Sequence, residues 1–216
     1  MDYQIKACDE TFLINHAQEF AALCRESFAE HAARDVRMGP CYMTPELWNK
    51  HAKGSIGLYI EIDGRIVAFW LASADFDRKT SYGKILAIDP KYKGRHMGSA
   101  LSIHLSNYLR EKGIDVFMTD TSLNAPHVVK FHKSYGCKAV GMISWPNTNY
   151  YTVLLRLALR PDSEISDSKA KIMYLGSSII CKLIYNEDGS HTHIGKFARF
   201  FKAMLKGCLL YTSDAA

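Results

Sequence analysis

Between Pro90 and Leu101 the chain reads Pro-Lys-Tyr-Lys-Gly-Arg-His-Met-Gly-Ser-Ala-Leu. The stretch follows an apolar run, Ile85-Leu86-Ala87-Ile88, and its last residues open a helix. A basic, glycine-containing turn between a strand and a helix is suited to holding phosphate. Backbone N–H groups converge there on an anion, and the helix dipole adds positive potential at its N-terminus. Gly94 and Gly98 let a bulky ligand approach the main chain. The loop therefore points to a nucleotide-like, pyrophosphate-bearing ligand. It has neither the paired glycines of a dinucleotide-binding turn nor the Gly-Lys-Ser/Thr ending of a P-loop. The competing reading is an ordinary solvated turn.

The elements around the loop follow from hydrophobic period and turn chemistry. Tyr3 to Cys8 reads as a first strand, and a helix follows from about Asn15 to Ala32. Thr44-Pro45-Glu46 starts a second helix, which ends near Gly54. Ile56 to Ile62 and Arg65 to Ala74 form a hairpin across Asp63-Gly64. Tyr82 to Ile88 is the strand before the loop, and Gly98 to Lys112 the helix after it. Then come a short strand (Val116 to Thr119), a helix (Ala125 to Tyr135), and two strands, Cys137 to Trp145 and Tyr150 to Leu159. Pro161 to Ser168 is polar and reads as a linker. A hairpin turning at Asp188-Gly189 and an amphipathic helix from Ile194 to Lys206 are expected beyond it.

The loop resembles the coenzyme A pyrophosphate loop of the GNAT superfamily of N-acetyltransferases. Ile88, Pro90, Gly94, Gly98 and the helix start at Ser99 fall in register with that motif. Lys93 stands where Arg or Gln is usual, and His96 replaces a glycine. A register shifted to Arg95, Gly98 and Ala100 also fits the short pattern but misplaces Pro90. The resemblance covers about residues 2 to 159. It implies an α/β fold with a mixed, mostly antiparallel central sheet of about seven strands flanked by helices. The domains are then 1–160 (acetyltransferase), 161–207 (C-terminal extension) and 208–216. This last stretch, Cys208 to Ala216, reads as sequencing-adapter read-through.

The resemblance also implies a reaction: acetyl transfer from acetyl-CoA to a primary amine by direct attack. It assigns coenzyme binding to Ile88, Lys93, Gly94, Arg95, His96, Met97, Gly98, Ser99 and Asn124. The oxyanion donor would be a backbone N–H near Ile88. His132 lies four residues before Gly136, where the family often places a tyrosine acid for the coenzyme thiolate. Imidazole suits that role because it titrates near neutrality. A surface histidine is the bland alternative, and Tyr135 the alternative hydroxyl. No Glu stands on the Tyr82–Ile88 strand, so Asp120 is the substitute base, against a simple turn cap. The loops at Arg34–Pro40 and Trp145–Tyr150 would border the acceptor pocket.

Composition limits the partners. The chain has 216 residues, 48% hydrophobic and 12% aromatic, with net charge +5. That charge suits an anionic cofactor but is weak for nucleic acid. No apolar run approaches a membrane span, and the opening residues show no secretory leader. Six cysteines without a regular framework fit reduced thiols in a cytoplasmic protein. No metal is expected, since His191 and His193 lack a third ligand. The acceptor is a small molecule or a peptide amine, and a homodimer is compatible with the reading. The rival readings are a degenerate coenzyme A-binding module and a protein-interaction module acting through residues 161–207.

Overall fold

The alternating apolar runs pair into a single sheet in a computed structural model that describes residues 3–199. The strands are β1 (Ile5–Cys8), β2 (Ser55–Ile62), β3 (Arg65–Asp75), β4 (Thr80–Ile88), β5 (Val116–Ser122), β6 (Lys138–Ser144) and β7 (Tyr151–Ala158). Their spatial order is β1-β2-β3-β4-β5-β7-β6. Every neighbouring pair is antiparallel except β4 and β5. The β2–β3 hairpin turns at Asp63 and Gly64, both at positive φ (52° and 75°), as its twist requires. The expected mixed, mostly antiparallel α/β sheet is the observed one.

Helices cover both faces. Alternation along β3 sends Phe69 and Leu71 to one core and Ala68, Trp70 and Ala72 to the other. On the first face lie α1 (Glu10–Asn15), α2 (Ala17–Ala33) and α3 (Pro45–Ala52). Phe20 and Trp48 stack there with centroids 4.7 Å apart, and Phe69 meets both edge-on. The other face is covered by α4 (Met97–Glu111), which buries Leu101, Leu105 and Leu109. As the crossover between the two parallel strands, α4 starts where β4 ends. The next helix, α5 (Pro126–Ser134), leaves the end of β5.

The parallel pair opens like a V. Its ladder runs from Thr80–Val116 to Gly83–Thr119 and stops, although β4 continues to Ile88 and β5 to Ser122. At the same point β4 bulges against β3. Gly83 faces Ala72 and Ile85 faces Leu71, so Lys84 is the extra residue. A Cβ at Gly83 would lie 2.6 Å from Phe117 and 3.0 Å from the Trp70 indole, so only glycine fits there.

One expectation fails. Residues 167–184 form no hairpin strand but an 18-residue helix, α6 (Asp167–Ile184). The expected linker is largely its approach: a 3-10 turn at Pro161–Ser163, then Ser166, whose hydroxyl caps the Lys169 N–H. Ala170, Tyr174, Ser177 and Cys181 recur at helical spacing and face β6. β6 is an edge strand, and its Met142 N–H donates to Ser177 Oγ (2.9 Å). The helix thus covers the edge. β-Branched Ile172, Ile179 and Ile180 gave this segment its strand-like look. The turn at Asp188-Gly189 exists, but it closes on a single bridge between Tyr185 and His191. Residues 193–199 are helical. The rest of the expected Ile194–Lys206 helix, and the segment Cys208 to Ala216, lie outside the described residues.

Candidate active site

The loop after β4 is shaped by its backbone. Asp89 is buried and accepts the Lys91 N–H (2.9 Å), which starts a 3-10 turn at Pro90–Tyr92. Gly94 then takes φ +78°, and His96, the residue before α4, takes φ +60°. Both are left-handed, where glycine is unstrained and histidine is not. The first bond inside α4 runs from Ala100 N–H to the His96 carbonyl (3.0 Å). The N–H groups of Met97, Gly98 and Ser99 precede it and carry the positive end of the helix dipole.

Where β4 and β5 part, a cavity of about 500 Å³ opens, and Ile88, Lys93, Gly94 and Gly98 line its loop end. Asp89 N–H donates to Val67 on β3 (2.8 Å), so alternation turns the amides of Leu86 and Ile88 into the gap. Ser27 on α2 takes the Ile88 N–H with its hydroxyl (3.0 Å). Lys84, at the bulge, donates to the His51 carbonyl (2.9 Å) and to Ser55 Oγ (2.7 Å), and burial lowers its pKa.

Asp120 stands on the opposite wall. Its Oδ1 accepts from the Tyr82 hydroxyl (2.7 Å) and its Oδ2 from the Trp145 indole N–H (3.0 Å). Burial pushes its pKa up, against these two donors, which favour the carboxylate. Among the described residues no Lys or Arg forms an ion pair with it. Beside it, the loops at 35–37 and 145–149 are tied together. Asn149 donates to the Asp35 carbonyl and accepts the Arg37 N–H (2.9 Å).

His132 lies in the α5 wall, 4% exposed, amid the rings of Trp70, Phe131 and Tyr135. Its Nδ1 is hydrogen-bonded to the Tyr135 hydroxyl. Desolvation lowers its pKa to about 4, so the imidazole is neutral near pH 7.

The model of the acetyltransferase (GNAT) family matches residues 13–137, more than half of the chain. The chain belongs to the GNAT family. No curated protein sequence matches it. Solved structures share its fold at low identity. The paia N-acetyltransferase from Thermoplasma acidophilum, in complex with coenzyme A, is 13% identical (TM-score 0.58; 73% of this chain, 99% of that one). The ribosomal-protein-S18-alanine N-acetyltransferase of Escherichia coli is 14% identical (TM-score 0.57; 76% and 100%). An N-acetyltransferase from Staphylococcus aureus is 16% identical (TM-score 0.55; 74% and 100%).

On this GNAT fold, Ile88, Lys93, Gly94, Gly98, Asp120 and His132 line one cavity. The other expected residues do not line it. Arg95 and His96 have exposed side chains, Met97 is a core residue, and Ser99 faces elsewhere on α4. Asn124 is exposed in the turn before α5. Three partners of the site escaped sequence reasoning, Ser27, Lys84 and Tyr82, while Trp145, expected only at a border of the acceptor pocket, binds Asp120. Tyr135, expected as the alternative hydroxyl, is hydrogen-bonded to His132. The one signal in the sequence was Trp145 beside the expected acceptor loop.

Proposed function

We propose that this protein transfers the acetyl group of acetyl-CoA to a small primary amine. The observation that carries the reading is the alignment of three features along one cavity. These are the open amides at the start of α4, the unpaired edge of β4, and the carboxylate of Asp120.

The residues present fit the coenzyme. The amides around Lys93–Ser99 would hold its pyrophosphate, with Lys93 and Arg95 adding charge. A Cβ at Gly98 would lie 3.3 Å from Ile88 and 3.5 Å from Phe131, both on the cavity wall, so glycine keeps this passage clear. When bound, the thioester supplies an electrophilic carbonyl. The Leu86 N–H, aimed into the gap, is the donor for the developing oxyanion. Asp120, a buried carboxylate without an ionic partner among the described residues, attracts an ammonium group and takes its proton. His132 is too poor a base to serve as imidazolium. With Tyr135 donating to Nδ1, its proton sits on Nε2 and hydrogen-bonds the departing sulfur. The Asn149 tie joins the two loops expected to border the acceptor pocket, and a fixed border suits a small acceptor.

A second reading has one observation in its favour. Ser27 occupies the Ile88 amide, as it would in a module that binds coenzyme without turnover. Calorimetry and thiol release separate the two. Gly98→Val should weaken acetyl-CoA by at least ~10-fold, about 1.4 kcal/mol. Asp120→Asn should abolish amine-dependent thiol release and leave coenzyme affinity intact. Unchanged affinity in a folded Gly98→Val variant removes the loop from the site, and absence of thiol release with every amine leaves only the binding module.

A further inference from the structure

The helix α6 is apolar on both sides. One side packs on β6 through Ala170, Tyr174 and Cys181. The other presents Ile172 (71% exposed), Leu175 (50%), Ile179 (61%), Ile180 (58%) and Leu183 (48%). No charged side chain occurs from Ile172 through Cys181. A helix that is hydrophobic all round is the pattern of a buried helix. A contiguous apolar face of this kind marks an interaction site.

We infer that this face joins two copies of the chain, with the α6 helices packed antiparallel about a two-fold axis level with Ser177 and Ser178. Three observations select a second copy. First, the central stripe of this face is Ile172, Leu175, Gly176, Ile179, Ile180 and Leu183, with Met173 (43% exposed) at its rim. Their spacing reads the same in either direction. Antiparallel pairing therefore sets Ile172 against Leu183 of the partner subunit and Leu175 against Ile180 of the partner subunit. Such self-complementarity is what an isologous contact demands. Second, Gly176 lies mid-stripe, and no atom lies within 4 Å of where its Cβ would be. The crossing helix has room for close approach. Third, the charges are polar along the axis. Lys169 and Lys171 stand at one end, Glu187 and Asp188 just beyond the other. The opposing charges near these ends are engaged within the chain: Asp167 pairs with Lys138 (2.9 Å), and Lys182 lies over the Tyr151 ring (5.9 Å). Antiparallel copies bring each basic end onto an acidic one.

The size is sufficient. Counted over both copies, the five side chains and their rims contribute on the order of 1,000 Å², the threshold for a specific interface. A lipid surface is the poorer occupant, because Glu187 and Asp188 oppose the three lysines near an anionic headgroup layer. This inference does not depend on the acetyl-transfer reading.

Sedimentation velocity of the full chain from about 1 to about 50 µM, a range over which a micromolar dimer dissociates, tests it. A dimer is expected, and Ile179→Glu should raise its dissociation constant by at least ~100-fold with unchanged circular dichroism. If that variant fails to fold, cysteine cross-linking replaces it. Gly176→Cys, near the axis, should oxidise to a covalent dimer beyond the wild-type background, and Ser168→Cys, far from it, should not. A wild-type monomer throughout that range overturns the inference. So does a dimer that Ile179→Glu leaves intact, or cross-linking at both cysteines, which would mean parallel helices. Vesicle binding or a face covered by residues 200–207 of the same chain would each appear as the monomer.

Discussion

Three aromatic rings around His132 decide its charge more than its place on α5 does. Its folded pKa of about 4 lies below the ordinary 6.5. Above pH 6.5 the imidazole is neutral in both states. Between 6.5 and 4 the unfolded chain takes up a proton that the folded chain excludes, so stability falls as pH falls through this window. The loss reaches about 3 kcal/mol at most. Urea unfolding at pH 7 and pH 4.5 should show wild type losing about 2–3 kcal/mol more than His132→Gln; equal losses would mean the ring is solvated. His96 makes a second residue-scale case. Its left-handed φ was foreshadowed by its standing in a glycine slot of the motif. His96→Gly should relieve about 1 kcal/mol of strain and raise the melting temperature by roughly 2–4 °C. The loop glycines were legible because a backbone that must approach phosphate leaves its mark as glycine at fixed spacing. Ser27 was not: it meets Ile88 61 residues away through a single hydroxyl.

Asp120 depends on two elements distant in sequence, Tyr82 on β4 and the loop after β6 that carries Trp145. Nothing local marks such a carboxylate as more than a turn cap, and only the sheet order brings the three together. Both donors favour the charged form of Asp120, against the effect of burial. Trp145→Phe removes one of them and should raise the Asp120 pKa further. The acid limb of the kcat/KM profile for an accepted amine should then move to higher pH, with acetyl-CoA affinity unchanged. An unmoved limb would separate Asp120 from the titration. The strands and their hairpin were readable from period and from Asp63-Gly64, whereas α6 was not. Its isoleucines satisfy a strand's preferences, and only β6 beside it, an edge in need of cover, settles the matter.

At the scale of the whole molecule, the segment after Arg160 is bound into the sheet it follows. Ser177 serves the edge strand, and the turn at Asn186–Ser190 abuts the Trp145 loop, where Gly189 leaves no room for a Cβ against the Trp145 carbonyl. Truncation after Arg160 should therefore cost several kcal/mol, on the order of 3 or more, by baring β6 and its apolar neighbours. Urea titration would show this as an early transition, and one cooperative transition is expected for the intact chain. The opening between β4 and β5 has a further consequence. β4 is the fourth of seven strands, yet past Gly83 one of its sides faces no strand. Hydrogen exchange should see a central strand behaving as an edge: Leu86 N–H trading its proton quickly, Ile88 more slowly behind Ser27, and Ala87, turned to β3, slowest of all. Acetyl-CoA, laid along that side, would then act as a missing strand, and slowed exchange at Leu86 would report its arrival.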